Sequence, residues 1–448
     1  MCVTPARFPK TSAIAPHNRW HAPTCPRAGP DRKELTLSTT NRRGDAQPRP
    51  LARHGQLPRP SAMKLIGKGL ALLVAIAVAS TVSIVAIAAW DLSRSIQTVH
   101  LGTGPAAGPV PEISAIEGGV NMLLVGSDSR ADSTYSYGED PESELNDVTM
   151  LLHISQDHTS ATVVSFPRDT FVPIPECPDP EGGTFDAMES QKINTTLSYG
   201  GLACTVLTVE QLTGLTIPFA AEIKFDGVIE MSNAVGGVPV CVAAPIEDTH
   251  TELYLDAGTH ELQGVDALKF LRTRYGVGDG SDVTRISSQQ VFLSALVRKV
   301  KSADTLTDVS KLYGLAKAAV SNMVFSDSLN IDNLVQIAKA LQPIDLSQIV
   351  FVQYPTVEAD GGLEPNTESA DALFTALSTD QAVGLTSTDE GRGSVVDPNA
   401  VPAPTDSAAP VEPDPAASTP AVAELPDDVL GQTAAEARCT VGRTLDDQ

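Results

Sequence analysis

The chain has 448 residues, with 31 Lys and Arg against 55 Asp and Glu, and a formal net charge of -24. About 13 of the basic residues and only 3 of the acidic ones lie at or before Trp90, so the remainder is strongly acidic. Because binding to a nucleic-acid backbone needs a broad basic face, the composition excludes nucleic acid as a partner.

An apolar run separates the basic N-terminal part from the acidic remainder. From Gly69 to Trp90, about 22 residues carry no charge, enough to cross a hydrocarbon core of about 30 Å. Segment 63–90 is therefore predicted to be a single transmembrane helix, which is favoured over a cleaved signal peptide because the run exceeds a usual signal core. The basic residues before it predict a cytoplasmic tail for residues 1–62 and place the remainder outside the cell membrane. Met63 is favoured as the initiator, with residues 1–62 as a misassigned extension.

Beyond the apolar run, composition divides the chain into three parts. Residues 91–118 are expected to be a spacer, residues 119–379 a folded domain, and residues 380–448 an acidic, Pro- and Ala-rich disordered tail. Late in the domain, two amphipathic helices are followed by a strand, Ile349–Tyr354, that is expected to return to a sheet. The cysteines lack zinc-site spacing, and Cys177 with Cys204 is the favoured disulfide.

Acidic and basic side chains flank three predicted strands, Asn121–Val125, Val148–Ser155 and Ala161–Phe166. If neighbouring strands pair antiparallel, Asp128 lies beside Asp147, and Arg168 reaches the same edge. Two carboxylates suit Mg²⁺ or Mn²⁺, hard cations that share oxygen ligands with phosphates. The alternative is that both aspartates only cap turns.

The stretch Leu271–Gln290, LRTRYGVGDGSDVTRISSQQ, concentrates arginines in an acidic domain. If a helix ends near Arg272, the extended segment after it lets Arg272 and Arg274 face one ligand. Arg285 and Gln289 are i,i+4 neighbours on the next helix. The pattern predicts a polyanion site, and the alternative is a set of salt bridges to the surrounding acids.

Other residue types add less to the expected site. Lys192 is one of few lysines in its region, and a solvated surface lysine is the alternative. No Ser-His-Asp arrangement occurs, so no covalent nucleophile is expected. Asp169 is a candidate for orienting Arg168 or for accepting a proton during a reaction, and the alternative is that it only caps the next turn.

A series of collinear motifs also resembles the LytR-CpsA-Psr family of membrane-anchored cell-wall glycopolymer transferases. The motifs are GSDSR (Gly126–Arg130), NDVTMLLHI (Asn146–Ile154), SFPRDT (Ser165–Thr170), KINTTLSYGG (Lys192–Gly201), TVEQLTG (Thr208–Gly214), AVGGV (Ala234–Val238), LRTRY and DGSDVTRISSQQ. The resemblance runs from about Asn121 to Val300.

The resemblance implies an α/β fold in α-β-α layers, with a central mixed β-sheet flanked by helices and preceded by the transmembrane helix. It implies transfer of a phospho-glycopolymer from a polyprenyl-pyrophosphate carrier, its lipid in an apolar pocket, onto a peptidoglycan sugar hydroxyl. By matching positions, Asp128 and Asp147 would hold Mg²⁺. Phosphate oxygens would be held by Arg130, Arg168, Arg272, Arg274, Arg285, Lys192 and Gln289.

One motif departs from the family pattern, because Ser287 and Ser288 stand where relatives place further positive charge. The expectation is an altered donor affinity or preference. Two other functions remain open: a hydrolase of lipid-linked pyrophosphates, and a non-catalytic cell-wall regulatory or binding protein. The presence of both Asp128 and Asp147 argues against the second of these.

Overall fold

The computed structural model describes residues 62–101, 119–130, 133, 135, 144–179, 182–387, 393–400 and 422–448. The predicted cytoplasmic tail up to residue 61, most of the spacer and parts of the predicted acidic tail lie outside the described residues. The helices are α1 Ala62–Ser95, α2 Thr196–Thr213, α3 Phe225–Ala234, α4 Val265–Arg272, α5 Asp282–Lys301, α6 Ala303–Leu306, α7 Val309–Asn322, α8 Ile331–Leu341 and α9 Thr367–Ser378.

Many short strands connect these helices. The strands are β1 Gln97–Val99, β2 Val120–Ser127, β3 Asn146–Ile154, β4 Ala161–Phe166, β5 Phe171–Ile174, β6 Cys177–Pro178, β7 Thr184–Phe185, β8 Met188–Lys192, β9 Phe219–Ile223, β10 Val238–Val242, β11 Ile246–Asp248, β12 Leu253–Leu255, β13 Gly258–Leu262, β14 Met323–Ser326, β15 Ile349–Gln353, β16 Thr356–Ala359, β17 Gly362–Pro365, β18 Val383–Gly384, β19 Ser394–Val396, β20 Ala423–Glu424, β21 Gly431–Thr433 and β22 Arg438–Thr440.

Eight strands form the large sheet, in the order β1-β14-β9-β2-β3-β4-β15-β21. Strands β2, β3 and β4 pair antiparallel, as predicted, and β9 joins β2 in parallel. Strand β15 returns to the sheet parallel to β4. The sheet is therefore mixed, and the predicted edge is built by the ends of β2 and β3 and the segment after β4.

Helices cover both faces of the large sheet because the apolar side chains of its central strands alternate. Leu123 and Val125 of β2 pack into a cluster with residues of α2 and α9. Val120 of β2 belongs to a second cluster with residues of α8, and the partly buried Leu124 and residues of α5 pack against that cluster. The observed layering is α-β-α, which confirms the predicted α/β fold with a central mixed sheet flanked by helices.

A small sheet, β13-β10-β22-β19, lies outside this arrangement, and its last two strands come from the predicted disordered tail. Strand β22 pairs with β10, and Cys439 of β22 is disulfide-bonded to Cys241 of β10. Strand β21 pairs with β15 of the large sheet. The prediction of a disordered tail from residue 380 onward is therefore wrong for residues 380–387, 393–400 and 422–448, since backbone pairing and a covalent crosslink hold them. The predicted Cys177–Cys204 disulfide is confirmed.

Helix α1 contains the apolar run predicted to cross the membrane. Near its end, Asp91 accepts hydrogen bonds from the Tyr313 hydroxyl at 3.1 Å and the Lys317 ammonium at 3.2 Å, both on α7. Within the described parts of the chain, no helix meets the length and hydropathy expected of a membrane span.

Candidate active site

The centre of the site is a cluster of carboxylates and guanidinium groups at the edge of the large sheet. The Arg168 guanidinium donates a hydrogen bond to Asp147 Oδ1, and Arg285 Nη2 donates to the Asp147 carbonyl oxygen at 2.9 Å. Asp147 comes from β3, Arg168 follows β4, and Arg285 lies one turn into α5. The antiparallel order of the strands brings Asp147 and Arg168 together, as the sequence predicts, and α5 adds Arg285 from the side.

Asp282 completes the cluster and was not among the predicted site residues. Its Oδ1 lies 2.6 Å from Arg285 Nη2, and its Oδ2 accepts from the Arg168 backbone N–H at 2.9 Å. The residue is 4% exposed. The sequence did contain one sign of this contact: Asp282 and Arg285 lie three residues apart at the start of a predicted helix. The same pattern is common in helices that bind no ligand. Asp282 fixes the Arg285 fork and the backbone that carries Arg168.

Asp128 has two roles at this edge. Its Oδ1 accepts from the Leu145 backbone N–H at 2.7 Å, so the predicted alternative of a capping aspartate is part of the structure. Burial raises the pKa of Asp128, and the negative charges of Asp147 and Glu144 raise it further, against the Leu145 hydrogen bond. Two carboxylates therefore repel one another here, and a bound cation would relieve that repulsion.

The donor chemistry of Asp128 and Asp147 fits a hard divalent cation, because both offer only carboxylate oxygens. Among the described residues, the one group of three potential metal-ligating side chains is Cys241, Asp397 and Cys439. Both of its sulfurs belong to a disulfide and are unavailable as thiolates. The Asp128–Asp147 pair is the better fit to Mg²⁺ or Mn²⁺.

Arg272 and Arg274 lie near the cluster but make different contacts. Helix α4 ends at Arg272 and Thr273 is extended, which confirms the predicted helix end. The Arg272 guanidinium lies over the Phe225 ring, 4.4 Å from its centroid. Burial lowers the pKa of Arg272, while the charges of Asp147 and Asp128 act against it. Arg272 thus shares the electrostatic environment of the Asp128 and Asp147 carboxylates and rests on an aromatic ring.

Arg274 takes part in a second group of charges that continues the site. Its Nε donates to the Gly280 carbonyl at 2.9 Å, and its Nη1 lies 3.6 Å from Asp169 Oδ2. Lys192 Nζ lies 3.0 Å from the other Asp169 oxygen. Burial acts to raise the pKa of Asp169, but the hydrogen bond from Lys192 and the charge of Arg168 outweigh it and lower that pKa. Arg274 therefore takes part in a salt bridge, as the alternative interpretation expected. Asp169 links Arg168 and Arg274 to Lys192.

The remaining predicted residues have supporting positions. Gln289 Nε2 donates to the Leu271 carbonyl at 2.9 Å and so connects α5 to α4. Arg130 follows β2, and its positive charge partly offsets the rise that burial causes in the Asp128 pKa and adds to the fall that burial causes in the Arg272 pKa. The predicted site residues thus lie at the edge of the large sheet, on α4 and α5, in the loop between these helices and, for Lys192, at the end of β8.

The two serines that depart from the family pattern do not face this charge cluster. The Ser287 hydroxyl accepts from Gln353 of β15 at 3.2 Å, and the Ser288 hydroxyl donates to Thr284 of its own helix. Both serines are buried against the sheet. An altered donor affinity or preference stays a prediction, although a cationic side chain at either buried position would enter the interior.

An apolar cavity of about 220 Å³ opens beside the charge cluster. Its walls are mostly aliphatic and aromatic, from β2, β3, α3, α4 and α5, whereas Asp147, Arg272, Arg285 and Gln289 supply polar groups. A second cavity of about 140 Å³ is lined by Ser129, Asp226, Asn322 and other polar residues. Lys224 and Phe225 line both cavities, so the two cavities are neighbours on either side of the start of α3.

Residues 102–379 match the family model described as the LytR_cpsA_psr family. The chain belongs to this family, LytR-CpsA-Psr. It is similar to the cell wall biosynthesis protein LcpA of Corynebacterium glutamicum, with 30% identity over 287 residues, covering 58% of this chain and 54% of LcpA.

Two further relatives are more distant. The polyisoprenyl-teichoic acid–peptidoglycan teichoic acid transferase TagT of Bacillus subtilis is 26% identical over 290 residues, covering 62% of this chain and 84% of TagT. A solved structure of the LytR-Csp2A-Psr enzyme from Actinomyces oris aligns with 63% of this chain and 95% of its own, at 20% identity and a TM-score of 0.49. The chain spans only about half the length of LcpA.

Proposed function

We propose that this protein is a phosphotransferase that moves a phospho-glycopolymer from a polyprenyl-pyrophosphate carrier onto a sugar hydroxyl of peptidoglycan. The observation that carries the proposal is the apolar cavity whose polar wall is formed by Asp147, Arg272 and Arg285. An amphipathic donor with a hydrocarbon tail and a pyrophosphate head fits such a site, since the two parts need adjoining surfaces of opposite character. The name of TagT, a transferase from a polyisoprenyl carrier to peptidoglycan, supports the same reaction.

In this reaction the sugar hydroxyl attacks the phosphorus next to the glycan. The bond from that phosphorus to the bridging oxygen breaks, and polyprenyl phosphate leaves. Such a step needs positioning and charge neutralisation more than covalent help from the protein. Arginine forks bind phosphate oxygens in pairs and stay charged at physiological pH. Arg168, Arg272, Arg274 and Arg285, with Lys192, would hold the donor in line for attack.

Asp128 and Asp147 would hold a divalent cation, Mg²⁺ or Mn²⁺. When bound, such an ion would neutralise charge on the pyrophosphate oxygens. Arg168 and Arg285 already fix the Asp147 carboxylate and carbonyl, so this ligand is held before a cation arrives. Asp169, ionised and oriented by Lys192 and Arg274, is the candidate to receive the proton of the sugar hydroxyl.

The same proposal includes a membrane anchor, with residues 63–90 crossing the bilayer and the folded domain outside the cell. Support comes from the charge-free run Gly69–Trp90 and from exposed apolar side chains on α1, such as Leu70, Leu73 and Val82. An anchor would keep the domain close to a lipid-linked donor. Alkaline extraction of membranes checks this: the full chain should stay in the pellet, and a chain starting at residue 91 should be released.

The transfer reaction is tested with the full chain, a polyprenyl-pyrophosphate-linked glycan, Mg²⁺ and peptidoglycan fragments. The expected product is a glycan joined to the fragment through a phosphodiester, formed with Mg²⁺ and lost with a chelator. Asp128→Asn should lose the response to Mg²⁺, and Asp332→Asn, an exposed aspartate on α8, is the matched control. Release of free phosphorylated glycan without any conjugate would instead identify a hydrolase and reject the transferase.

A further inference from the structure

We infer that the C-terminal residues Arg438–Arg443, here called the C-terminal strap, position Arg274 for binding the donor pyrophosphate, and that Arg443 is the positioning residue. This inference rests on the proposed function. The strap lies beyond residues 102–379, the part of the chain that matches the family model. The inference therefore assigns a role in the site to a segment outside the matched domain.

The strap has a fixed position in the small sheet. Its first residues form β22, which pairs in parallel with β10 and antiparallel with β19. The Cys241–Cys439 disulfide joins β22 to β10. The Thr440 carbonyl also accepts from the Ala243 N–H at 2.8 Å. The start of the strap is therefore fixed by hydrogen bonds to strands on both sides and by a covalent crosslink.

Beyond β22, the strap runs along the loop Gly276–Gly280 that follows Arg274. Gly278 N–H donates to the Val441 carbonyl at 2.9 Å, and Arg443 N–H donates to the Gly276 carbonyl at 2.8 Å. The Arg443 guanidinium adds a hydrogen bond from Nη1 to the Asp279 carbonyl at 3.3 Å. Side-chain and backbone groups of the strap thus contact successive residues of the loop.

The approach of the strap is close at Gly442, which pairs with Val277 in an isolated bridge. A Cβ atom at position 442 would overlap the carbonyl oxygens of Ala244 and Pro245. Only glycine allows the strap to pass between these carbonyls and the loop. The register between strap and loop is therefore narrowly defined.

The loop in turn sets the orientation of Arg274. The Gly280 carbonyl accepts from Arg274 Nε, and Gly280 N–H donates to the Val277 carbonyl at 3.0 Å. Since Nε and both terminal nitrogens share one rigid plane, the acceptor at Nε decides where the terminal nitrogens point. A shift of Gly280 would turn the guanidinium away from the phosphate.

The composition of the loop explains why it needs an external support. Gly276, Gly278 and Gly280 alternate along it, and the last two adopt φ values of 50° and 82°. Glycine loses more conformational entropy on ordering than other residues, so such a loop is poorly fixed by its own sequence. Hydrogen bonds from the strap supply the missing constraint.

The test measures binding of geranylgeranyl pyrophosphate with Mg²⁺ by titration calorimetry on the full chain in detergent. Arg274→Ala should weaken binding by about tenfold or more, as expected for loss of a charged phosphate contact. Arg443→Ala should weaken binding by about three- to tenfold, the size of one lost hydrogen bond. The affinity of Arg443→Lys should lie between those of the wild type and Arg443→Ala, because the lysine ammonium replaces some of the hydrogen bonds of the guanidinium.

The double variant of Arg274→Ala and Arg443→Ala separates positioning from general destabilisation. If Arg443 acts through Arg274, the double variant binds as weakly as Arg274→Ala alone. The matched control is Arg298→Ala: this guanidinium also anchors the C-terminal segment, donating to Ala434 and Glu436 carbonyls, but does not contact the loop. It should lower the melting temperature and leave the affinity unchanged.

Four results would count against these assignments. Wild-type affinity in Arg443→Ala, or effects that multiply in the double variant, would overturn the role of the strap. A loss of affinity in Arg298→Ala equal to that in Arg443→Ala would also overturn it. If Arg274→Ala itself bound normally, the phosphate site under "Proposed function" would fail, and the two failures are thereby distinguished.

Discussion

Replacing Arg272 by alanine separates a ligand-binding arginine from a structural one. In the folded protein the Arg272 guanidinium rests on the Phe225 ring beside the apolar cavity. Stacking of this kind contributes about 0.5 to 1 kcal/mol at accessible sites and about 2 kcal/mol when desolvated. We therefore expect Arg272→Ala to cost about 1 to 2 kcal/mol of stability.

The effect on transfer should be much larger. A bidentate contact to phosphate consists of two charge-assisted hydrogen bonds, each contributing about 1.5 to 3 kcal/mol. A loss of about 3 kcal/mol lowers kcat/KM roughly a hundredfold. Arg285→Ala provides the contrast, because it leaves the buried Asp282 carboxylate without its nearest cation and should cost about 3 to 5 kcal/mol of stability.

The assay combines thermal unfolding with transfer kinetics for both variants. Arg272→Ala should lower the melting temperature by a few degrees, about 2 to 4 °C per kcal/mol for a domain of this size, and nearly abolish transfer. Arg285→Ala should lower the melting temperature at least twice as far. If Arg272→Ala unfolds as readily as Arg285→Ala, the arginine belongs to the structural ion pairs and the reasoning is refuted.

Two further predictions concern stability. Burial and the neighbouring Glu144 raise the pKa of Glu222 to about 7, above its unfolded value of about 4.5. The folded state therefore binds more protons between these values, so the stabilisation present below pH 4.5 is lost as pH rises through 7, by at most about 3 kcal/mol. The free energy of unfolding, measured with urea, should fall between pH 5 and pH 8 in the wild type and fall less in Glu222→Gln. An equal fall in both proteins would contradict this prediction. Replacing Cys177 and Cys204 by serine opens a loop with a sequence separation of 27 and should cost about 3 to 4 kcal/mol in the same assay. An unchanged unfolding midpoint would show that this disulfide is not stabilising.

The convergence of Asp147 and Arg168 could be predicted from the sequence because it follows from two local facts. Apolar alternation identified the strands, and short polar connections made antiparallel pairing the simplest arrangement. Charged residues at the strand ends then had to meet at one edge. The helix end at Arg272 was predictable for a similar reason, since two arginines at a spacing of two residues share a side only in extended backbone.

Asp282 and the C-terminal strap were not predictable by the same means. Asp282 resembles any acidic residue in the first turn of a helix, and its contact with the Arg168 backbone N–H spans 114 residues of sequence. Cys439 lies beyond a long stretch of Pro, Ala and Asp, whose composition gave no sign that a paired strand follows. Contacts between distant parts of a chain depend on tertiary packing that local patterns do not encode.

The strap and the strand before it also influence how the protein folds. Strand β21 completes one edge of the large sheet and β22 takes an inner position in the small sheet, although only the four residues 434–437 separate the two strands. A chain synthesised from its N-terminus cannot finish either sheet until residues 431–440 emerge. Until then β15 keeps an unpaired edge, a known route to aggregation, and the long-range pairings make closure slow. Strands β21 and β22, which are made long after the strands they pair with, therefore protect the nascent protein from association.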